Sequence, residues 1–169
     1  MLNLRSTCSS LTPASIASAC SAGSARFVAR HPQRVRIVIL TVGRAKPPFA
    51  DDCEHYLRLL RGRLRVELVE ARDERRARER LPADAHVVLL SEHGRAHTSP
   101  GFARWLEQRL LAARDLWFVV GGPQGIELAE ADETLSLGPL TLPHQLARVV
   151  LLEQLFRAHK ILAGEPYHY

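Results

Sequence analysis

From Val35 onward the apolar positions follow two rhythms, short unbroken runs and longer stretches spaced by three or four residues. The runs Val35 to Val42, His86 to Leu90 and Leu116 to Val120 are short and mostly apolar, rich in valine, which predicts buried strands. Leu64 to Val69 alternates apolar with charged residues and predicts a half-buried strand, and Thr134 to Leu137 predicts a short one. Helices are predicted from Phe49 to Arg61, introduced by Pro47-Pro48, and from Phe102 to Ala113, with Ser99 as cap and Pro100 in the first turn. Glu127 to Glu133 predicts a short acidic helix, and Pro143 opens a last helix reaching Leu162. Ala71 to Arg80 sets opposite charges at helical spacing, which predicts a solvated helix rather than a binding motif.

Strands alternating with helices imply an α/β fold whose largely parallel sheet is covered on both faces. The last helix adds to this. Leu146, Val149, Val150, Leu151, Leu152, Leu155, Phe156, Ile161 and Leu162 spread over more than one of its faces. A helix apolar on two sides must be covered on two sides, by a second copy of the chain or by deep burial in one copy.

Composition changes this picture little, but charge does. The chain has 169 residues, 46% hydrophobic and 24% charged, which suits one globular domain. Of the formal +5, residues 1–34 hold four arginines and no acid, so the body from residue 35 is nearly neutral. Within the body, residues 35–117 carry 16 basic against 12 acidic side chains, and residues 118–169 carry 3 against 6. An RNA-facing surface is therefore expected in the first part. Residues 1–34 are Ser/Ala-rich and aperiodic, and are read as a disordered or non-native N-terminal extension, with translation starting near Val35 on the second reading. A secretory signal is disfavoured by Pro13 and the scattered serines; a transit peptide fits the acid-free composition but not the GC-rich bacterial bias of 21 arginines to two lysines. Cys8, Cys20 and Cys53 offer no disulfide framework and no C-x-x-C site, which fits a reducing cytoplasm. No run approaches the roughly 18 to 20 apolar residues of a membrane span, so no membrane partner is expected.

Two loops stand out as ligand loops. Gly121-Gly122-Pro123-Gln124-Gly125 follows a fully apolar strand, at the carboxyl edge where open α/β sheets bind ligands. It is neither G-x-G-x-x-G nor a Walker A loop, and a plain tight turn is the alternative. Leu137 to His144 combines apolar side chains with free main-chain groups, a lining that suits an adenine ring or, equally, an ordinary loop before a helix. His93 and His97 flank Gly94 after a strand, so no helix aligns them, and no metal site is expected. Ser91, Ser99, His86 and Asp115 form no nucleophile elbow. The tail Gly164-Glu165-Pro166-Tyr167-His168-Tyr169 is either a disordered end or an aromatic flap able to stack on a base.

Gly121 to Gly125, Leu140-Thr141-Leu142-Pro143-His144-Gln145 with Arg148-Val149, Glu153-Gln154-Leu155-Phe156-Arg157-Ala158 and the Tyr167-His168 ending together closely resemble the RlmH family of SPOUT-class methyltransferases. Val38 to Gly43, Gly94-Arg95, Ser99 and Phe102-Ala103 extend the resemblance over residues 35–169, taken as a single domain. The resemblance implies a SPOUT-type fold with a C-terminal deep trefoil knot, a homodimer, S-adenosylmethionine and no metal. It also implies methyl transfer to N3 of a pseudouridine, position 1915, in helix 69 of 23S ribosomal RNA within the assembled 70S ribosome. Carried over by position, the cofactor contacts are Leu90, Gly121, Leu137, Gly138, Pro139, Leu140, Thr141 and Leu142. The proton on N3 needs a base, for which His168 is the first candidate and His144 the second. Arg148, Arg157 and Tyr167 are expected to contact RNA. Tyr169 stands where the family usually has a basic residue. The competing readings are a non-catalytic RNA-binding adapter of the same fold and a SPOUT methyltransferase acting on transfer RNA.

Overall fold

The computed structural model describes residues 35–166. The readings of residues 1–34 and of Tyr167, His168 and Tyr169 lie outside the described residues. Five parallel strands run in the order β2-β1-β4-β3-β5: β1 Arg36–Val42, β2 Arg65–Ala71, β3 His86–Ala96, β4 Leu116–Val120 and β5 Glu133–Ser136. The helices are α1 Phe49–Leu60, α2 Glu74–Arg78, α3 Ser99–Leu111 and α4 His144–Leu162. The α/β fold with a parallel sheet between helices is thus as the hydrophobic pattern predicts.

β1 and β4 read as unbroken apolar runs because they are inner strands buried on both faces. Ile37, Ile39 and Phe118 point to one side, Val38, Leu40 and Val119 to the other, and all are essentially inaccessible. Burial of each such side chain stabilises the fold by about 1.5–3 kcal/mol. The first side is the larger core, roofed by α1, α3 and α4; α2 and the loops carrying Leu81, Ile126 and Leu128 cover the second. β2 alternates because it is an edge strand.

Four details differ from the sequence reading. No helix forms at Glu127–Glu133: Asp132 and Glu133 are drawn to β3 instead. The Asp132 N–H donates to the Val87 carbonyl and its carboxylate accepts the Val87 N–H, both at 2.8 Å. Glu133 then starts β5, accepting hydrogen bonds from Trp105 and His86 and pairing with Arg109. The charged stretch is helical only over α2, because Ala71 is the last residue of β2 and Asp73 caps the helix, accepting the Arg76 N–H at 2.8 Å. Thr98, not Ser99, caps α3, leaving the Ser99 hydroxyl to donate to Gln154 on α4 at 3.1 Å. β3 also runs on past Leu90 to Ala96 through a bulge, with Leu90 and Arg95 both opposite Leu135. Gly94 permits this, since a Cβ there would lie 2.5 Å from the Leu135 carbonyl carbon.

Candidate cofactor and RNA site

The sheet register assembles the site. Leu89 lies opposite Val119, so Leu90 comes level with Val120, the last residue of β4, and Gly121 follows directly. Leu90 also faces Leu135 of β5, placing Leu137 two residues further along the same carboxyl edge. Leu90, Leu137 and Leu142 are all half-buried against the larger core and make one apolar wall. Gly138 has φ +152°, a conformation side-chain-bearing residues rarely adopt, and its turn is fixed by the Ser136 hydroxyl, which accepts its N–H and donates to its carbonyl. The Thr141 hydroxyl donates to Glu92 on the β3 extension, so the loop is tied to β3 as well as to β5. Pro139 and Leu140 are exposed, Leu140 at 74%. Among the described residues, the N–H groups of Leu140, Thr141 and Leu142 have no partner.

The glycine loop is a closed turn, the Gly125 N–H donating to the Gly122 carbonyl at 3.0 Å. A Cβ on Gly121 would lie 2.8 Å from the Gly125 carbonyl carbon and 2.9 Å from the Ile126 nitrogen, so the backbone of this turn passes too close for any side chain. On the opposite face from the leucine wall, Gly122 to Gly125 border an open cleft of about 580 Å³, completed by Val42, Asp73, Glu74 and Arg75. This cleft has no signature along the chain, because α2 brings distant charged residues to the turn.

The start of α4 locks onto the end of β1. Gln145 donates to the Arg44 carbonyl at 2.8 Å and accepts the Lys46 N–H at 3.3 Å. Arg148 is wholly buried, donating to the Val42 and Gly43 carbonyls at 3.3 and 3.1 Å, with Glu70 3.6 Å away. Burial presses its pKa down against the opposing pull of Glu70. The expected RNA-facing Arg148 is therefore corrected: its guanidinium is used inside the fold, because α4 sits between α1 and α3 with this side chain pointing at the sheet edge. Arg157 is 13% exposed and bonded to Glu153 at 2.6 and 2.9 Å, so its charge too is engaged within α4. The His144 imidazole is held below its ordinary pKa by burial, then by Arg148 and Lys46, and its Nε2 accepts from Gln145 at 3.0 Å. Its surroundings thus favour the neutral imidazole, with one nitrogen occupied. His93 and His97 belong to the exposed β3 extension and its turn, and no His/Cys/Asp/Glu cluster among the described residues could hold a metal.

A parallel sheet between helices, with an apolar wall and a glycine turn at one edge, defines an α/β protein. The family model described as predicted SPOUT methyltransferase matches residues 35–168, and the chain belongs to that family. Its relatives include the ribosomal RNA large subunit methyltransferase H of Rubrobacter xylanophilus, 46% identical, covering 79% of this chain and 98% of that protein. The proteins of the same description from Gluconacetobacter diazotrophicus and Alkalilimnicola ehrlichii are 45% and 41% identical, over 77% and 79% of this chain and 95% and 99% of theirs.

Proposed function

We propose that this chain transfers a methyl group from S-adenosylmethionine to N3 of a pseudouridine in helix 69 of 23S ribosomal RNA, acting on the assembled ribosome as a homodimer in the cytoplasm. The observation that carries the reading is the alignment of Leu90, Gly121 and Leu137 along one carboxyl edge. The cofactor brings an electrophilic methyl group on a positively charged sulfur. The residues fit such a group: the leucine wall suits a flat ring, the unpartnered amides of Leu140, Thr141 and Leu142 are available to a base edge, and Gly121 lets the glycine turn close at the same sheet edge. Leu90, Gly121 and Leu137 to Leu142 are thus assigned to cofactor binding.

With the methyl donor already activated, the protein's task is alignment and removal of the N3 proton. His168 is assigned that proton, with His144 as second candidate; the Gln145 amide on its Nε2 argues for a structural part for His144. Tyr167 is assigned to the RNA, and Arg157 to ordering α4 beneath it. The C-terminal trefoil knot belongs to the same proposal. In its support, residues 137–143 carry the chain from β5, at one sheet edge, across β3 and β4 to Arg44 beside β1. Half-buried Leu146 and Val150, next to the face of α4 that packs inside the chain, support the homodimer.

The test is incubation of the full chain with labelled S-adenosylmethionine and either 70S ribosomes or free 23S RNA, followed by nucleoside mass spectrometry. Methylated pseudouridine from ribosomes and little from free RNA is the expected result. Label in transfer RNA, or none in any RNA, refutes the reading.

A further inference from the structure

We propose that Arg44, Lys46 and Arg72 form a cationic ridge that receives the phosphate backbone of the RNA substrate, beside the glycine turn. This rests on the RNA reading above and adds where the strand lies.

The register places the ridge. Val42 faces Ala71 across β1 and β2, and the Gly43 N–H donates to the Ala71 carbonyl at 2.8 Å, so Arg44 and Arg72 leave the sheet side by side. Lys46 follows on the same loop, near enough to His144 to depress its titration. Val42 also stands level with Gly121, just past the end of β4, and its methyl lies 3.4 Å from where a Cβ of Gly122 would be. The ridge therefore lies over β2 and β1, and the leucine wall over β3 and β5, with the glycine turn between them.

All three cations are exposed, and none has a carboxylate partner among the described residues. Two of their acidic neighbours are engaged, since Glu70 accepts the Ala45 N–H at 2.6 Å and stands by Arg148 and Asp73 caps α2, while Glu74 lines the cleft with no cationic partner among the described residues. At the opposite edge of the sheet several cations are paired, although exposed Arg61 has no carboxylate partner among the described residues either. There Arg36 pairs with Asp115 and Glu67, and Arg114 binds the Asp84 and Ala85 carbonyls. The ridge thus leaves three cations without carboxylate partners at the edge where the cofactor is proposed to bind.

The loop is also held rigid. Arg148 takes the carbonyls of Val42 and Gly43, Gln145 takes the Arg44 carbonyl and Lys46 N–H, and Glu70 takes the Ala45 N–H. Five successive residues have a main-chain group fixed by side chains from other elements, so little order remains to be lost when phosphates dock. This gives the buried Arg148 a purpose despite Nε and Nη1 lacking hydrogen-bond partners: it is a positioning residue for the ridge.

The experiment measures ribosome binding and methylation by the full chain across a salt series. Three phosphate contacts at about 0.9 each should make the log–log salt slope of an Arg44→Ala/Lys46→Ala/Arg72→Ala variant shallower by ~2.7. Its affinity deficit should then shrink roughly 40-fold between about 50 and 200 mM salt. Calorimetric binding of S-adenosylmethionine should match the wild type. The Arg44→Lys/Lys46→Arg/Arg72→Lys variant should restore the slope. An Arg58→Ala/Arg104→Ala control removes exposed charge from α1 and α3 and should leave the slope alone. An unchanged slope in the triple variant, or an equal change in the control, overturns the ridge. Ribosome binding without methylation would instead overturn the proposed reaction, while the slope comparison still decides the ridge.

Discussion

Replacing Gly121 and Gly122 in turn by alanine separates close backbone approach from backbone conformation. Neither glycine has a positive φ, so alanine strains the backbone at neither. At Gly122 the new methyl would meet only Val42 Cγ1 at 3.4 Å, an ordinary contact. At Gly121 it would meet main-chain atoms of Gly125 and Ile126 at 2.8 and 2.9 Å, against a comfortable separation of about 3.5–4.0 Å. These are backbone atoms of a hydrogen-bonded turn, so relief requires moving the whole loop by about half an ångström or more. Overpacking of this kind costs about 1–3 kcal/mol. If the moved turn is one wall of the cofactor pocket, an equal loss in binding raises Kd about 5- to 150-fold. Urea melts report the first effect and calorimetry with S-adenosylmethionine the second. Gly122→Ala should stay within about 0.5 kcal/mol of wild type in both. Equal behaviour of the two variants would refute the packing argument, and a destabilised Gly121→Ala chain with unchanged Kd would remove the glycine turn from the pocket.

Three further outcomes are expected. His159 is buried, and burial, followed by Arg63, lowers its pKa below 6.5; its neutral form suits the fold, so stability should be full above about pH 6.5 and fall as pH drops through the lowered value. Urea melts between pH 8 and 5 should show that slope, and His159→Leu should flatten it. Burial alone would raise the Glu133 pKa, but bonds from Trp105, His86 and Arg109 outweigh it and hold the group below its usual range; Glu133→Gln should cost about 2 kcal/mol at pH 7 and lose its effect as acid protonates the wild-type carboxyl, read by the same melts. Arg148→Ala, which vacates buried volume and frees the Val42 and Gly43 carbonyls, should cost about 3–5 kcal/mol; Arg148→Met should melt closer to wild type yet bind ribosomes more weakly at low salt.

The strands and long helices were legible because β1, β4 and the first half of β3 are buried on both faces and say so in unbroken apolar runs. Helix spacing was equally plain in α1 and α3. Glu127 to Glu133 misled because local charge favours a solvated helix, while the real partners of Asp132 and Glu133 lie 45 to 47 residues away on β3. Both ligand loops could be marked from glycine, proline and apolar content, but not their common edge, which only the register of β3, β4 and β5 creates. Arg148 misled most: an arginine at helical spacing looks like surface charge, and nothing nearby in sequence reveals carbonyls waiting 105 residues upstream. Arg44, Lys46 and Arg72 were hidden in a net charge, since their isolation from carboxylates is a fact of space.

The anchoring of Arg148 to Val42 and Gly43 also dictates an order of events during folding. Sequence separations of 105 and 106 residues make this a contact of high loop-closure cost, formed late in folding and slowly for a chain of this size. On a ribosome adding some 5–20 residues each second, β1 waits about 5 to 20 seconds for the helix that will fasten its end. During that interval the carboxyl edge is unfinished. A nascent chain therefore cannot complete this edge until α4 has been made and has docked.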